Sequence, residues 1–302
     1  MIVFATSDKG GTGRSVTSCN IGYRLSVKGL RVAYLDFDFG SPTAGALFEI
    51  TDAERGVPDH QGLHSYLLGD APSVRRLDIR EMTDRAELKK TRGKAGELVL
   101  FPGDKGGAEF KSIDDDVVDR CVQLLLEVEH EFGVCIVDLS AGRSMAMELA
   151  LRATVRSQLL ACTVRWLVFY RWTRQHILAA NGLVHGQYGL LASGKQVGHD
   201  EDRLLENLRY VRTAVPDPGS IKGGTGAQAA WLHAQDVQLK RLSSTRIGAD
   251  VLGETPVEPM LQWREQVVLD IDVRNEIANK SIVEAFTRLA NQLTDPRAWS
   301  KL

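Results

Sequence analysis

The stretch that decides the fold of this chain is MIVFATSDKGGTGRS, residues 1–15. Its first six residues are apolar enough to predict a buried strand, and a glycine-rich turn follows over 7–13. A helical pattern of apolar residues then covers 14–27, and RVAYLDFDF at 31–39 predicts a second, fully buried strand. Strand, loop, helix and strand in this order form a βαβ unit, which implies a parallel sheet.

The same alternation of strands and helices continues along the chain. Further strands are predicted at 97–103, 133–139, 157–164 and 250–257, and further helices at about 63–68, 86–90, 112–131, 145–152, 166–185 and 281–293. The sequence therefore predicts an α/β fold in three layers, with a mostly parallel central β-sheet flanked by helices. Because no linker divides the chain, we expect one domain over 1–302 with irregular insertions at about 51–96 and 186–245.

Composition excludes several classes of protein. The 302 residues are 43% hydrophobic and 25% charged, as in globular proteins, and the formal net charge of −2 provides no overall basic field for nucleic acid or anionic lipid. No apolar run approaches the ~18–20 residues of a membrane span, and the N-terminus lacks the basic and cleavage regions of a signal peptide. The cysteines, at positions 19, 121, 135 and 162, form no CxxC or zinc pattern, so we expect a reduced, cytoplasmic protein.

The glycine-rich turn has the chemistry of a phosphate site. Glycines at 10, 11 and 13 let successive backbone N–H groups converge on a phosphate, and the helix that begins near Arg14 adds its positive end. Arg14 could neutralise the β- and γ-phosphates, and the Ser15 hydroxyl could ligate Mg²⁺. A glycine-rich turn without a ligand is the alternative, but the strand before it, the helix after it and the hydroxyl beside the cation favour a nucleotide site.

Two positions depart from the common phosphate-loop pattern GxxxxGK[ST]. Asp8 stands at the position of the first glycine, and Arg14 stands at the position of the lysine. At about 4 Å and an effective dielectric constant of ~20, opposite charges interact by about 4 kcal/mol, and arginine keeps that charge. Arginine lacks the compact geometry of the lysine ammonium, so we expect nucleotide binding to survive more readily than fast hydrolysis.

These motifs resemble those of one protein family. KGGTGRS at 9–15 resembles the deviant Walker A motif, KGGxGK[ST], of the ParA/MinD ATPases, which partition DNA or position cell machinery. LDFDFGSPTAG at 35–45 is similar to the switch segment of that family, and IVDLSAGRSMAMELAL at 136–151 is similar to its Walker B segment. The resemblance implies the fold of a P-loop NTPase.

The resemblance also implies roles for individual residues. Lys9 would reach the phosphates of the nucleotide bound to a partner subunit across a face-to-face dimer, Asp38 would orient the attacking water, and Arg14 would act on the phosphates. Gly142 would sense the γ-phosphate, and Val16 replaces a hydroxyl that usually touches the α-phosphate. The nucleotide cradle would consist of Gly10, Gly11, Thr12, Gly13, Arg14, Ser15 and Val16, and the residues around Mg²⁺ would be Ser15, Asp36 and Asp138.

The function that the resemblance implies is a cytoplasmic ATPase that binds ATP and Mg²⁺. It would form a nucleotide-dependent homodimer and act as a switch that recruits or releases a partner or cargo, either DNA or protein machinery. The preference for ATP over GTP rests on the resemblance alone. Because Arg14 and Val16 depart from the family pattern, a degenerate nucleotide-binding scaffold with little or no hydrolysis is the alternative, and a small-molecule kinase or ligase on the same fold is a third. Asp36 has a simpler interpretation as a hydrogen-bonding residue at the end of its strand.

Two further patterns have simpler interpretations than a second binding site. KGGTG recurs at 222–226 and KGG at 105–107, and neither copy follows a clear buried strand, so a loop without a ligand is favoured. His60 and His64 are spaced like two metal ligands on one helix face, but no third ligand is evident and exposed histidines are favoured.

Basic residues suggest two contact surfaces. Tryptophan, arginine and histidine side chains share the predicted helix 166–185, which favours a protein interface over stacking with nucleic acid. Lys240, Arg241 and Arg246 form a small basic patch that is a candidate for sequence-independent contact with DNA, although the overall charge gives it no support.

Overall fold

In the computed structural model, which describes residues 1–90, 95–217 and 226–300, eight strands form one central sheet. In chain order they are β1 (Ile2–Thr6), β2 (Val32–Phe37), β3 (Leu77–Asp78), β4 (Leu98–Phe101), β5 (Val134–Leu139), β6 (Val164–Arg171), β7 (Leu208–Val215) and β8 (Val251–Pro256). The order across the sheet is β3-β4-β2-β5-β1-β6-β7-β8. β3 runs antiparallel to β4, and the other neighbouring strands are parallel. The predicted α/β fold with a mostly parallel sheet is therefore confirmed.

The helices cover both faces of the sheet. They are α1 (Arg14–Val27), α2 (Ala44–Leu47), α3 (Leu63–Leu68), α4 (Ile79–Met82), α5 (Ala86–Lys89), α6 (Asp115–Glu131), α7 (Met145–Thr154), α8 (Arg174–His185), α9 (Leu190–Val197), α10 (Glu201–Glu206), α11 (Gly226–Arg246), α12 (Pro259–Trp263), α13 (Asp270–Arg274) and α14 (Lys280–Thr294). Buried side chains of α6, α7 and α8 form a core on one face, and those of α1 and α14 form a core on the other.

The side chains of the central strand β1 alternate between these two cores. Ile2 and Phe4 belong to the core beneath α6, α7 and α8, whereas Val3 and Ala5 belong to the core beneath α1 and α14. This is the two-residue period of a strand. Because both faces are covered, the strand is apolar at every position, which is the pattern that predicted it.

One strand and one helix lie later in the sequence than predicted. Residues 157–159 form a 3₁₀ turn, β6 occupies Val164–Arg171, and α8 begins only at Arg174. The predictions of a strand at 157–164 and a helix at 166–185 are therefore wrong. The segment VRWLVFYR is buried on both sides at its centre, and a continuous apolar run fits a helix and a buried strand equally well.

The segment 186–245 is not the irregular insertion that its composition suggested. Among its described residues it contains α9, α10, the whole of β7 and most of α11. Arg209 and Arg212 interrupt the apolar pattern of β7, so the strand carries no clear signal in the sequence. The described residues of the segment 51–96 do form short elements, from a 3₁₀ turn at Thr51–Ala53 to α5. β8 pairs with β7 through two shifts of register.

Candidate functional site

The carboxyl ends of three neighbouring strands bring the predicted motifs together. β1, β5 and β2 are adjacent and parallel, so the segments that follow them emerge at the same edge of the sheet. Asp36 on β2 pairs in register with Asp138 on β5, and Asp138 pairs with Ala5 on β1. The loop after β1 therefore lies beside both acidic segments, as the order of the motifs predicted.

The loop after β1 has a backbone that suits an anion. Gly11 and Gly13 have φ angles of 70° and 73°, in the left-handed region that glycine adopts without strain. Gly13 is the N-cap residue of α1 and has no side chain to accept a hydrogen bond. The first N–H groups of this 14-residue helix are therefore not capped by a side chain on the side of the loop. The loop and Asp38 line a cavity of about 160 Å³. Left-handed glycines and uncapped helix N–H groups are features that an anion site uses, and the phosphate cradle stays a prediction.

Arg14 joins the loop to both acidic segments. The side chain is buried, with 6% of the residue exposed. Its Nε donates to Asp138 Oδ1 at 2.5 Å, and its Nη2 donates to Asp38 Oδ2 at 3.1 Å and to Ser15 Oγ at 3.2 Å. Its Nη1 makes a longer hydrogen bond to Ser7 Oγ, at 3.5 Å. One guanidinium thus links the three motifs that were found separately in the sequence.

The electrostatics of this cluster keep Arg14 charged. Burial alone would lower the pKa of Arg14, but the carboxylates of Asp138 and Asp38 raise the pKa above its ordinary value. The pKa of Asp36 is raised to about 7, first by burial and then by the negative charges of Asp138 and Asp38. Asp36 accepts hydrogen bonds from the N–H groups of Ala44 at 2.9 Å and Asp38 at 3.3 Å. These bonds match the strand-end role that the sequence offered for Asp36.

Lys9 and Gly142 occupy the outer part of the site. Lys9 is exposed at the tip of the loop. Burial, together with the positive charges of Lys9 and Arg171, lowers the pKa of His176 near the start of α8. Gly142 has a φ angle of 80° and donates its N–H to the carbonyl of Ser7 at 2.7 Å. That N–H group would have to leave Ser7 before it could contact a γ-phosphate.

Two further side chains hold the loop in place, and the sequence did not predict either contact. Asp8 Oδ1 accepts a hydrogen bond from Arg143 Nη1 at 2.8 Å, which ties the loop to the turn after β5. Thr213 Oγ1 donates to the carbonyl of Thr12 at 2.5 Å, which ties the loop to β7. The charge of Asp8 was visible as a departure from the motif, whereas Thr213 lies in a strand that the sequence did not predict.

A second cavity of about 250 Å³ adjoins the loop at the carboxyl ends of β6, β7 and β8. It shares Gly11, Thr12, Gly13 and Val16 with the loop cavity, and its other lining residues include Thr213 and Thr255. Nothing in the sequence indicated this cavity, because β7 carries no clear strand pattern and β6 lies later than its pattern predicted.

The remaining patterns have structural explanations or lie elsewhere. Trp166 and Trp172 are buried, so the predicted interface of basic and aromatic residues is wrong for both tryptophans. His64 packs against Phe110 with ring centroids 4.5 Å apart, and the described residues contain no group of three or more side chains suited to a metal ion. Residues 222–225 of the KGGTG copy lie outside the described residues. No helix in the described part of the chain is long and apolar enough to cross a membrane.

Residues 3–214 match the sequence profile of the CobQ/CobB/MinD/ParA nucleotide binding domain. This chain belongs to that family. The predicted membership of the ParA/MinD group is thereby confirmed, and the match covers β1 to β7 with the loop, Asp38 and Asp138.

Individual proteins are similar to this chain in sequence or in fold. An uncharacterized ATP-binding protein of Methanocaldococcus jannaschii is 30% identical over 153 residues, which are 50% of this chain and 49% of that protein. The chain thus spans about half the length of this curated relative. MinD in the MinC:MinD cell division complex of Aquifex aeolicus aligns with a TM-score of 0.61 and 16% identity, over 97% of this chain and 95% of that one. MinD of Pyrococcus horikoshii, complexed with Mg-ADP, aligns with a TM-score of 0.54 and 14% identity, over 100% and 99%. Because the two MinD structures are only 16% and 14% identical to this chain, their similarity establishes the fold alone.

Proposed function

We propose that this chain is an ATP-dependent dimerising switch that recruits or releases a partner. The observation that carries the proposal is the convergence of the glycine-rich loop, Asp38 and Asp138 on the single side chain of Arg14. A change at the loop, such as the arrival of a phosphate, acts directly on both acidic segments through this side chain. A switch needs such a link between the ligand and the segments that change.

The two adjoining cavities give the nucleotide a place along the strand ends. The loop cavity has the N–H donors and the cation that a polyphosphate requires. The second cavity continues from the loop past Thr213 and Thr255, where a nucleoside would follow the phosphates. ATP is the nucleotide we propose, in line with the ATP-binding relative.

The exposure of Lys9 supports the proposed dimer. Its side chain is exposed beside the phosphate loop, so it is free to contact a second copy of the chain. Arg14, by contrast, is buried and serves its own subunit. The two cations of the motif therefore suit the two roles that the family resemblance implied.

The residues predicted to surround Mg²⁺ are not arranged for an ion. Carboxylate and hydroxyl oxygens suit Mg²⁺ in kind. However, Asp138 Oδ1 and Ser15 Oγ accept hydrogen bonds from Arg14, and both oxygens of Asp36 accept bonds from backbone N–H groups. An Mg²⁺ site on Ser15, Asp36 and Asp138 stays a prediction, and no step of the proposal depends on it.

The test is ATP binding and molar mass for the wild type and for Lys9→Ala. Calorimetry should detect ATP binding in both proteins, and light scattering should detect a nucleotide-dependent dimer only in the wild type. Lys105→Ala is the matched control, because Lys105 is an exposed lysine of the second KGG copy. If ATP neither binds to the wild type nor changes its mass, the proposal is wrong.

A nucleotide-binding scaffold with little hydrolysis is the second candidate. The contact of Asp38 with Arg14 favours it, because an aspartate in this ion pair can orient a water molecule only after its contact with Arg14 is broken. Steady-state phosphate release, measured with and without DNA, separates the two candidates. Clear turnover that is abolished by Asp38→Ala would exclude the scaffold.

A further inference from the structure

Arg14 lies against two of the residues that the family resemblance placed around Mg²⁺, Asp138 and Ser15. A Walker A lysine carries one compact charge, whereas the guanidinium of Arg14 has several N–H donors in a fixed plane. In this chain those donors contact an oxygen of Asp138, an oxygen of Asp38 and the hydroxyl of Ser15. The single positive charge of Arg14 therefore offsets part of the negative charge of the two carboxylates.

The contact with Asp138 is the firmest of these. It joins Nε to Oδ1 at 2.5 Å, and only 7% of the Arg14 side chain and 3% of the Asp138 side chain are exposed. Separating the two would leave a buried charge without a partner, which is strongly unfavourable. Oxygen Oδ1 of Asp138 is therefore already held by Arg14.

The outer nitrogens of Arg14 are held less firmly. Nη1 contacts Ser7 Oγ at 3.5 Å, the limit of a hydrogen bond, and the Asp38 side chain that Nη2 contacts is 26% exposed. Arg14 also lines the loop cavity. The outer nitrogens can therefore turn to a phosphate in the loop while Nε stays on Asp138.

We infer that the Arg14 guanidinium takes the place of the divalent cation at Asp138 and Ser15, with Asp38 as its third partner, so that nucleotide binding by this chain does not depend on Mg²⁺. The inference rests on the proposed nucleotide binding. It assigns to Arg14 both the neutralisation of Asp138 and contact with the phosphates. Lysine at this position has a single ammonium group and would leave carboxylate oxygens free for an ion.

The experiment compares ADP binding in excess MgCl₂ and in excess EDTA by isothermal titration calorimetry. For the wild type we expect the two dissociation constants to agree within about twofold. For Arg14→Lys we expect Mg²⁺ to tighten binding by about fivefold or more, the size of an ordinary coupling between two ligands. Arg24→Lys is the matched control, since Arg24 is also a buried arginine on α1. It should behave as the wild type does.

Each other outcome has a definite meaning. Tightening by Mg²⁺ of more than about twofold in the wild type would overturn the inference, as would tightening of less than about fivefold in Arg14→Lys or a gain of Mg²⁺ dependence in Arg24→Lys. If ADP and ATP bind to none of the proteins in either buffer, the proposed function fails instead. If Arg14→Lys does not fold, Ser15→Ala tests the same inference. We expect Ser15→Ala to change the dissociation constant of ADP by the same factor in both buffers. An effect of Ser15→Ala confined to MgCl₂ would overturn the inference.

Discussion

The two ends of helix α1 each bury an arginine, and the arginines have opposite surroundings. Arg14 and Arg24 are 6% and 5% exposed. Arg24 donates to Asp270 Oδ1 at 2.7 Å and to the carbonyl of Val268 at 2.6 Å. The Asp270 side chain is 56% exposed, whereas that of Asp138, the partner of Arg14, is 3% exposed.

The two carboxylate partners differ in whether water could solvate them if the arginine were removed. Asp270 could return to water, so Arg24 serves mainly to fasten α1 to the start of α13 and to Val268 before it. Asn20 makes a further link to the segment before α13 through Gln266 and Val268. Asp138 could not reach water, so Arg14 holds a charge that the fold cannot otherwise tolerate. A buried arginine that is structural at one end of the helix is thus part of a charged site at the other.

The largest effect is expected for Arg14→Met. Removing the guanidinium leaves Asp138 charged and buried, which should lower the free energy of unfolding by about 3–5 kcal/mol. Urea denaturation followed by circular dichroism measures this loss. A loss below about 1 kcal/mol would mean that Asp138 is hydrated or protonated at little cost, and that the contrast between the two arginines is not real.

A smaller effect is expected for Arg24→Met. The carbonyl of Val268 loses its donor while Asp270 becomes solvated, so the free energy of unfolding should fall by about 1–3 kcal/mol. The same urea titration gives the value. A loss equal to that of Arg14→Met would show that the exposure of the carboxylate partner does not govern the cost.

The smallest effect is expected for Lys9→Ala. Lys9 is exposed, so the substitution should change the free energy of unfolding by no more than about 0.5 kcal/mol. Thermal and urea unfolding of the nucleotide-free protein would measure it. A larger loss would place Lys9 within the charged cluster of Arg14, and would weaken its assignment to a second subunit.

The sequence predicted the fold well where its patterns had one interpretation. β1, α1 and β2 were recognisable because a glycine-rich turn separates two apolar runs, and Asp38 and Asp138 follow or end such runs. β6 was misplaced because a strand buried on both faces has no periodicity of its own. The contacts of Arg14 could not be predicted, because a motif specifies the residue type at a position but not which carboxylate its side chain meets.

The edges of the sheet limit how copies of this protein can aggregate. One edge is β3, which has only two residues, and the other is β8, which ends in Pro256 and pairs irregularly with its neighbour. Short strands, proline and shifts of register all oppose the addition of a strand from another molecule. Fibre-like growth through open backbone groups is thereby disfavoured. The dimerising switch proposed above would gain from such edges, since contacts between its copies would form through side chains rather than through the backbone.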